Sequence, residues 1–90
     1  MIWSFEFLGR SEDRAYFCIM TDDEQNNGQG VSVRYHYYAE NADNSLTKIN
    51  YMQVPTFRKK PARQEAALLM DRVIRFFNGW IPSNIQLMNK

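Results

Sequence analysis

Apolar and polar side chains alternate from the start of the chain. Trp3, Phe5 and Phe7 fall on one side and Ser4 and Glu6 on the other, the period of a half-buried β-strand. Residues 9–13 are a polar turn. Across residues 14–21 the alternation is lost: Tyr16, Phe17, Cys18, Ile19 and Met20 run together, as in a central strand covered on both faces. Residues 22–30 hold no period. Their two glycines and two asparagines predict a loop rather than a tight hairpin turn. The clearest alternation comes next, with Val31, Val33, Tyr35, Tyr37 and Ala39 opposing Ser32, Arg34, His36, Tyr38 and Glu40. β-Branched and aromatic residues dominate it, as strands prefer. Residues 41–45 are turn chemistry, and residues 46–54 predict a fourth strand that Pro55 ends.

The period then changes to that of a helix. Pro61 suits a first helical turn. At 100° per residue Ala62, Ala66, Leu69, Met70, Val73, Phe76, Phe77 and Trp80 form one stripe, with Gln64, Glu65, Asp71, Arg72, Arg75 and Asn78 opposite. Asp71 and Arg75 stand four apart, a spacing that supports an ion pair. Gly79 fits the left-handed position after the helix, Trp80 can fold back on the last turn, and Pro82 stops continuation. In the tail, Ile85 and Leu87 alternate, compatible with an edge strand or a loosely docked coil. Short connections between consecutive strands favour a meander. The predicted fold is therefore α+β: a four-stranded antiparallel β-meander covered on one face by a single C-terminal α-helix, ββββα, in one domain over residues 1–90.

Composition narrows the setting. The chain has 90 residues, 44% of them hydrophobic and 23% charged, with a net charge of +1. That balance belongs to a globular chain, and it excludes a uniformly basic nucleic-acid coat. One cysteine, Cys18, beside five methionines suits a reducing compartment, so a cytoplasmic location is expected. The first residues lack the basic leader and apolar run of a secretory signal. No apolar run approaches the ~20 residues of a membrane helix, so no membrane association is expected. The +1 is a cancellation. Residues 1–45 carry eight acids and three bases, residues 46–90 two acids and eight bases.

Catalytic and metal chemistry find little support. Asp23, Asn27 and Gly28 match positions of a calcium loop, but Gln25 and Arg34 occupy positions that need ligands. One His and one Cys cannot alone build a zinc site. Cys18 and His36 could share a face on adjacent strands and form an activated thiol. Cys18 nonetheless sits among Phe17, Ile19 and Met20, where a cysteine is a small hydrophobe. Gly28 and Gly30 lack the third glycine and following helix of a dinucleotide loop. No metal, no cofactor and no enzymatic activity are expected.

Two surfaces remain. Arg58, Lys59, Lys60 and Arg63 enter the helix together, a segment suited to anions or nucleic acid. If Val33, Tyr35 and Tyr37 face the helix, the outer face carries Arg34, His36 and Tyr38, with Tyr16, Cys18 and Met20 alongside. Such a mixture suits protein contact, and Leu68 with Arg72 and Arg75 offers an anchor on the helix. The expected function is a small non-enzymatic regulator or inhibitor acting by contact with a larger protein. The alternative is single-stranded nucleic-acid binding, with the basic segment on phosphates and Tyr35 or Tyr38 stacking on bases. Pairing with a second copy is compatible with either, since a small sheet with exposed edges can bury them in a homodimer. No motif identifies a family. The strand and helix order resembles that of Whirly and PUR-repeat domains in architecture alone.

Overall fold

A computed structural model describes residues 1–23 and 32–90. Residues 24–31, with most of the loop predicted over residues 22–30 and the calcium-loop positions Gln25, Asn27 and Gly28, lie outside the described residues, whereas Asp22 and Asp23 are strand rather than loop. Strands β1 (Ile2–Ser11), β2 (Arg14–Asp23), β3 (Ser32–Glu40) and β4 (Leu46–Ile49) form an antiparallel meander. Helix α1 (Arg63–Phe77) comes after them, then a fifth strand β5 (Gln86–Leu87). The sheet order is β4-β3-β2-β1-β5, with β5 parallel to β1. The α+β architecture is the expected one, with one strand more. Among the described residues no helix is long and apolar enough to cross a membrane.

The first hairpin is tighter than the polar run suggested. Ser11 pairs with Arg14, leaving a two-residue turn in which Glu12 takes a left-handed φ of 57°. A β-bulge in β1 sets Leu8 and Gly9 opposite Tyr16 alone, bending the strand and re-aiming the side chains beyond it. Before the bulge, Trp3, Phe5 and Phe7 face the helix. Beyond it Arg10 returns to that side, its guanidinium 5.4 Å from the Phe7 ring centre.

The fourth strand is half as long as residues 46–54 predict. Pairing with β3 stops at Ile49, and Tyr51–Gln53 form a 3-10 turn. The Asn50 N–H donates to the Gln53 side-chain oxygen at 3.0 Å, a local bond that competes with the ladder. Residues 50–62 then leave the β4 edge as a strap over the sheet face opposite α1. Tyr51 rests against Tyr37 and Phe57 against Tyr16, with ring centres 5.4 and 5.8 Å apart. The strap ends at α1 on the other side.

Phe5, Phe7, Phe17 and Ile19 pack against Ala66, Leu69 and Val73 of α1, the stripe that the helical period marked. Phe76, placed in that stripe by the same period, is 55% exposed, at its margin rather than inside. At the helix end Asn78 as well as Gly79 takes positive φ. Trp80 folds back onto Phe77, as expected, with ring centres 5.2 Å apart. The tail closes the β1 edge. The Met88 N–H donates to the Phe5 carbonyl at 2.8 Å. One residue on, the Asn89 side-chain amide accepts from the Phe7 N–H at 2.8 Å and donates to its carbonyl at 3.0 Å, standing in for a strand residue.

Candidate functional surface

The register between β2 and β3 decides which side chains share a face. Phe17 pairs with Tyr38, Ile19 with His36 and Thr21 with Arg34, so these residues lie on the α1 side. Cys18 pairs with Tyr37, Met20 with Tyr35 and Tyr16 with Ala39, on the opposite, open face. The grouping expected from sequence is therefore corrected: Arg34, His36 and Tyr38 do not share a face with Tyr16, Cys18 and Met20. Alternation in β3 was a poor guide because both of its faces carry aromatics. Near its C-terminal end both are covered, one by α1 and one by the strap.

Two of the expected contact residues are thereby buried. Tyr38 stacks on Phe17 and meets the edge of Phe77, with ring centres 5.4 and 5.6 Å away. Burial holds its hydroxyl above the usual tyrosine range. Tyr16 lies under Phe57, with the Arg14 guanidinium 5.5 Å from its ring centre. Arg72 is held by Glu40 in a two-bonded ion pair at 2.9 and 3.0 Å. Leu68 and Arg75 do lie exposed on the outer side of α1. Arg75 donates to the Asp71 backbone carbonyl at 3.3 Å rather than to its carboxylate.

The open face divides into two halves. Toward the first hairpin, Tyr16, Ala39 and Ile49 are buried under Leu8, Val54 and Phe57. Gly9 belongs to this half, and a β-carbon there would stand 2.4 Å from the Phe57 ring. Toward the other end only the start of the strap, Tyr51 and Met52, reaches the face, and it leaves that face open. Tyr35 is 56% exposed, Tyr51 70% and Met52 92%, and Tyr35, Tyr37 and Tyr51 form a ladder with centres 6.4 and 5.4 Å apart. Val33 and Ile2 are also exposed. Beside this ladder the outer edge of β3 is bare. β4 pairs only with residues 37–40, and among the described residues no strand pairs with residues 32–36 on the side away from β2. The sequence signal for this half was Tyr51-Met52 in a segment read as strand. Its exposure arises only because the strand stops short.

Charge on the two sides of that edge differs. Arg34, His36 and Lys48, which pairs with Tyr38, line its α1 side. His36 is held below the usual histidine value by partial burial and then by the charges of Lys48 and Arg34. Among the described residues the one ion pair is Glu40–Arg72. Cys18 lies on the other face from His36, so the two cannot form a nucleophile and base. Burial pushes the Cys18 thiol up to about 11, against a hydrogen bond from the His36 backbone N–H, with the Glu6 carboxylate adding to the rise and the Tyr37 hydroxyl opposing it.

The basic segment is split. Arg58, Lys59 and Lys60 border two adjoining clefts of about 510 and 400 Å³ on either side of Phe57, and Arg10 from β1 joins them in the larger. Arg63 points elsewhere and donates to the Asn89 carbonyl. Among the described residues no three His, Cys, Asp or Glu side chains gather to hold a metal ion. No protein-family model, no curated protein and no solved structure matches this chain.

Proposed function

We propose that this protein is a non-enzymatic regulator that acts by contact with a larger protein, through the bare half of the open sheet face. The observation that carries the reading is the ladder of Tyr35, Tyr37 and Tyr51, exposed at Tyr35 and Tyr51 and half-buried at Tyr37, beside exposed Val33 and Met52 and bordered by a strand edge that no described strand pairs. Tyrosine and methionine are enriched where proteins meet. A tyrosine also orders few torsions when it is buried at an interface. Contact surfaces of this kind need shape and charge, not a cofactor.

Site-specific photo-crosslinking tests the reading. A benzophenone side chain at Tyr35 is expected to trap one defined protein from cell extract, and the same group at Arg75 is expected to trap none. Equal, diffuse labelling at both sites would sink it.

A second reading, single-stranded nucleic-acid binding, draws on Arg10 joining Arg58, Lys59 and Lys60 around the Phe57 cleft. Against it, Tyr38 is buried and Tyr35 lies four strand positions from Ala39, the β3 residue level with Tyr16 under Phe57, about 13 Å at ~3.3 Å per residue, although Tyr51 lines the smaller cleft. It predicts oligonucleotide affinity that falls steeply with salt. A flat anisotropy titration at low salt would end it.

A further inference from the structure

The bare edge of β3 has a defined place for an additional strand. β4 ends at Ile49, and the chain turns at Asn50 onto the open face. An extended segment placed against residues 32–36 would continue the line of β4 along an edge that no described strand pairs. Five residues at ~3.3 Å each make about 17 Å of ladder, the length of an ordinary strand. Side chains of that added strand would alternate between two unlike surroundings. One set would meet Tyr35 and Tyr51 on the open face. The other would meet Arg34, His36 and Lys48 on the α1 side.

We propose that this edge takes an extended strand from a protein partner by β-addition, with acidic residues at alternate positions facing Arg34, His36 and Lys48 and apolar residues between them on the tyrosine ladder. The inference rests on the protein-contact reading above and adds its mode and chemistry. Main-chain bonds to the edge give affinity, and the alternate side chains give selectivity. Charge argues against a second copy of this chain as the occupant. Antiparallel pairing of two β3 edges about a two-fold axis keeps Arg34 and His36 of both copies on one side of the sheet. That crowds the Arg34 guanidinium groups of the two copies on one face with no acid between them, and like charges across a ladder are destabilising.

The test uses the full chain and capped peptides of about nine residues, long enough to span the edge. One peptide alternates glutamate with valine and the other lysine with valine. The glutamate peptide is expected to shift the backbone amide resonances of residues 32–36 and of Tyr51, and to bind at least about tenfold more tightly than the lysine peptide, since complementary charge governs selectivity. The exposed double variant Arg34→Glu/Lys48→Glu, its fold checked by circular dichroism, is expected to reverse that preference. Equal binding of both peptides, shifts elsewhere on the molecule, or no binding by either would overturn the proposal. A dimer of the protein alone with residues 32–36 protected would overturn it too, in favour of a second copy. If neither peptide binds while the Tyr35 crosslink still captures its protein, edge addition fails and the contact reading stands.

Discussion

One sheet face carries two regions of similar composition and opposite condition. Toward the first hairpin, Tyr16, Ala39 and Ile49 are buried by Val54, Phe57 and Leu8. Toward the far end, Tyr35, Val33 and Ile2 are exposed. The difference is where the strap crosses. It leaves β4 at Asn50 and crosses toward Gly9, because a glycine there lets the Phe57 ring lie directly on the backbone. Aromatic content alone therefore does not distinguish core from contact surface. Coverage does.

The largest expected effect comes from breaking that coverage. Gly9→Ala puts a methyl group into the Phe57 ring and adds strain at a positive φ. The expected loss is about 1–3 kcal/mol, the range for overpacking, measured by thermal unfolding. In Phe57→Ala the same Gly9→Ala change should cost distinctly less, and a double-mutant cycle measures that coupling. Equal costs in both backgrounds would show that Phe57 is not what Gly9 accommodates.

Next is Arg72→Met, which leaves the Glu40 carboxylate, 6% exposed, beside an uncharged thioether that donates no hydrogen bond. Breaking a fully buried pair costs about 3–5 kcal/mol. Arg72 is 39% exposed, so solvent screening lowers the expected loss to about 1–2 kcal/mol. This cost would mark Arg72 as a residue that holds α1 to β3, not as a free contact residue. In the bare half, by contrast, Tyr35→Ser should change stability by less than about 0.5 kcal/mol while abolishing capture through a benzophenone placed at Tyr51. A large stability loss there would mean that the ladder is core after all.

Two smaller effects sharpen the contrast. Cys18, with its thiol pushed up to about 11, should resist iodoacetamide at pH 8 in the folded chain and react readily in denaturant, since the thiolate is the nucleophile. His36 gives the smallest effect. Its folded value lies below the ordinary 6.5, so the unfolded chain takes up a proton first as pH falls. Its contribution to stability is therefore full above about pH 6.5 and is lost as pH drops toward the folded value. His36→Gln should flatten that part of the stability profile.

Much of the fold was legible in the residues. Phe5 and Phe7, the unbroken apolar run of β2, and the stripe of Ala66, Leu69 and Val73 all sit where their periods place them. These segments have one dominant apolar direction, or none that matters because both faces are buried. β3 was not legible in the same way. Its two sets of side chains, Tyr35 and Tyr37 against His36 and Tyr38, differ too little in polarity for alternation to assign a face, and a one-residue difference in parity exchanges them all. The expected site inherited that error. It included Tyr16 and Tyr38, which are buried, and missed Tyr51 and Met52. The basic segment was found, but not that Arg10 joins it or that Arg63 leaves it.

The sequence by itself determined the element order, the α+β class, the buried stripe of α1 and the end of the helix at Asn78 and Gly79. Those arise from side-chain periods and from backbone conformations that single residues favour. Only the tertiary structure decided the β2–β3 register, the crossing of the strap over Gly9, the ion pair of Glu40 with Arg72, and the half of the sheet left open. Each of these depends on which distant segments meet, and a local pattern carries no energy term for that.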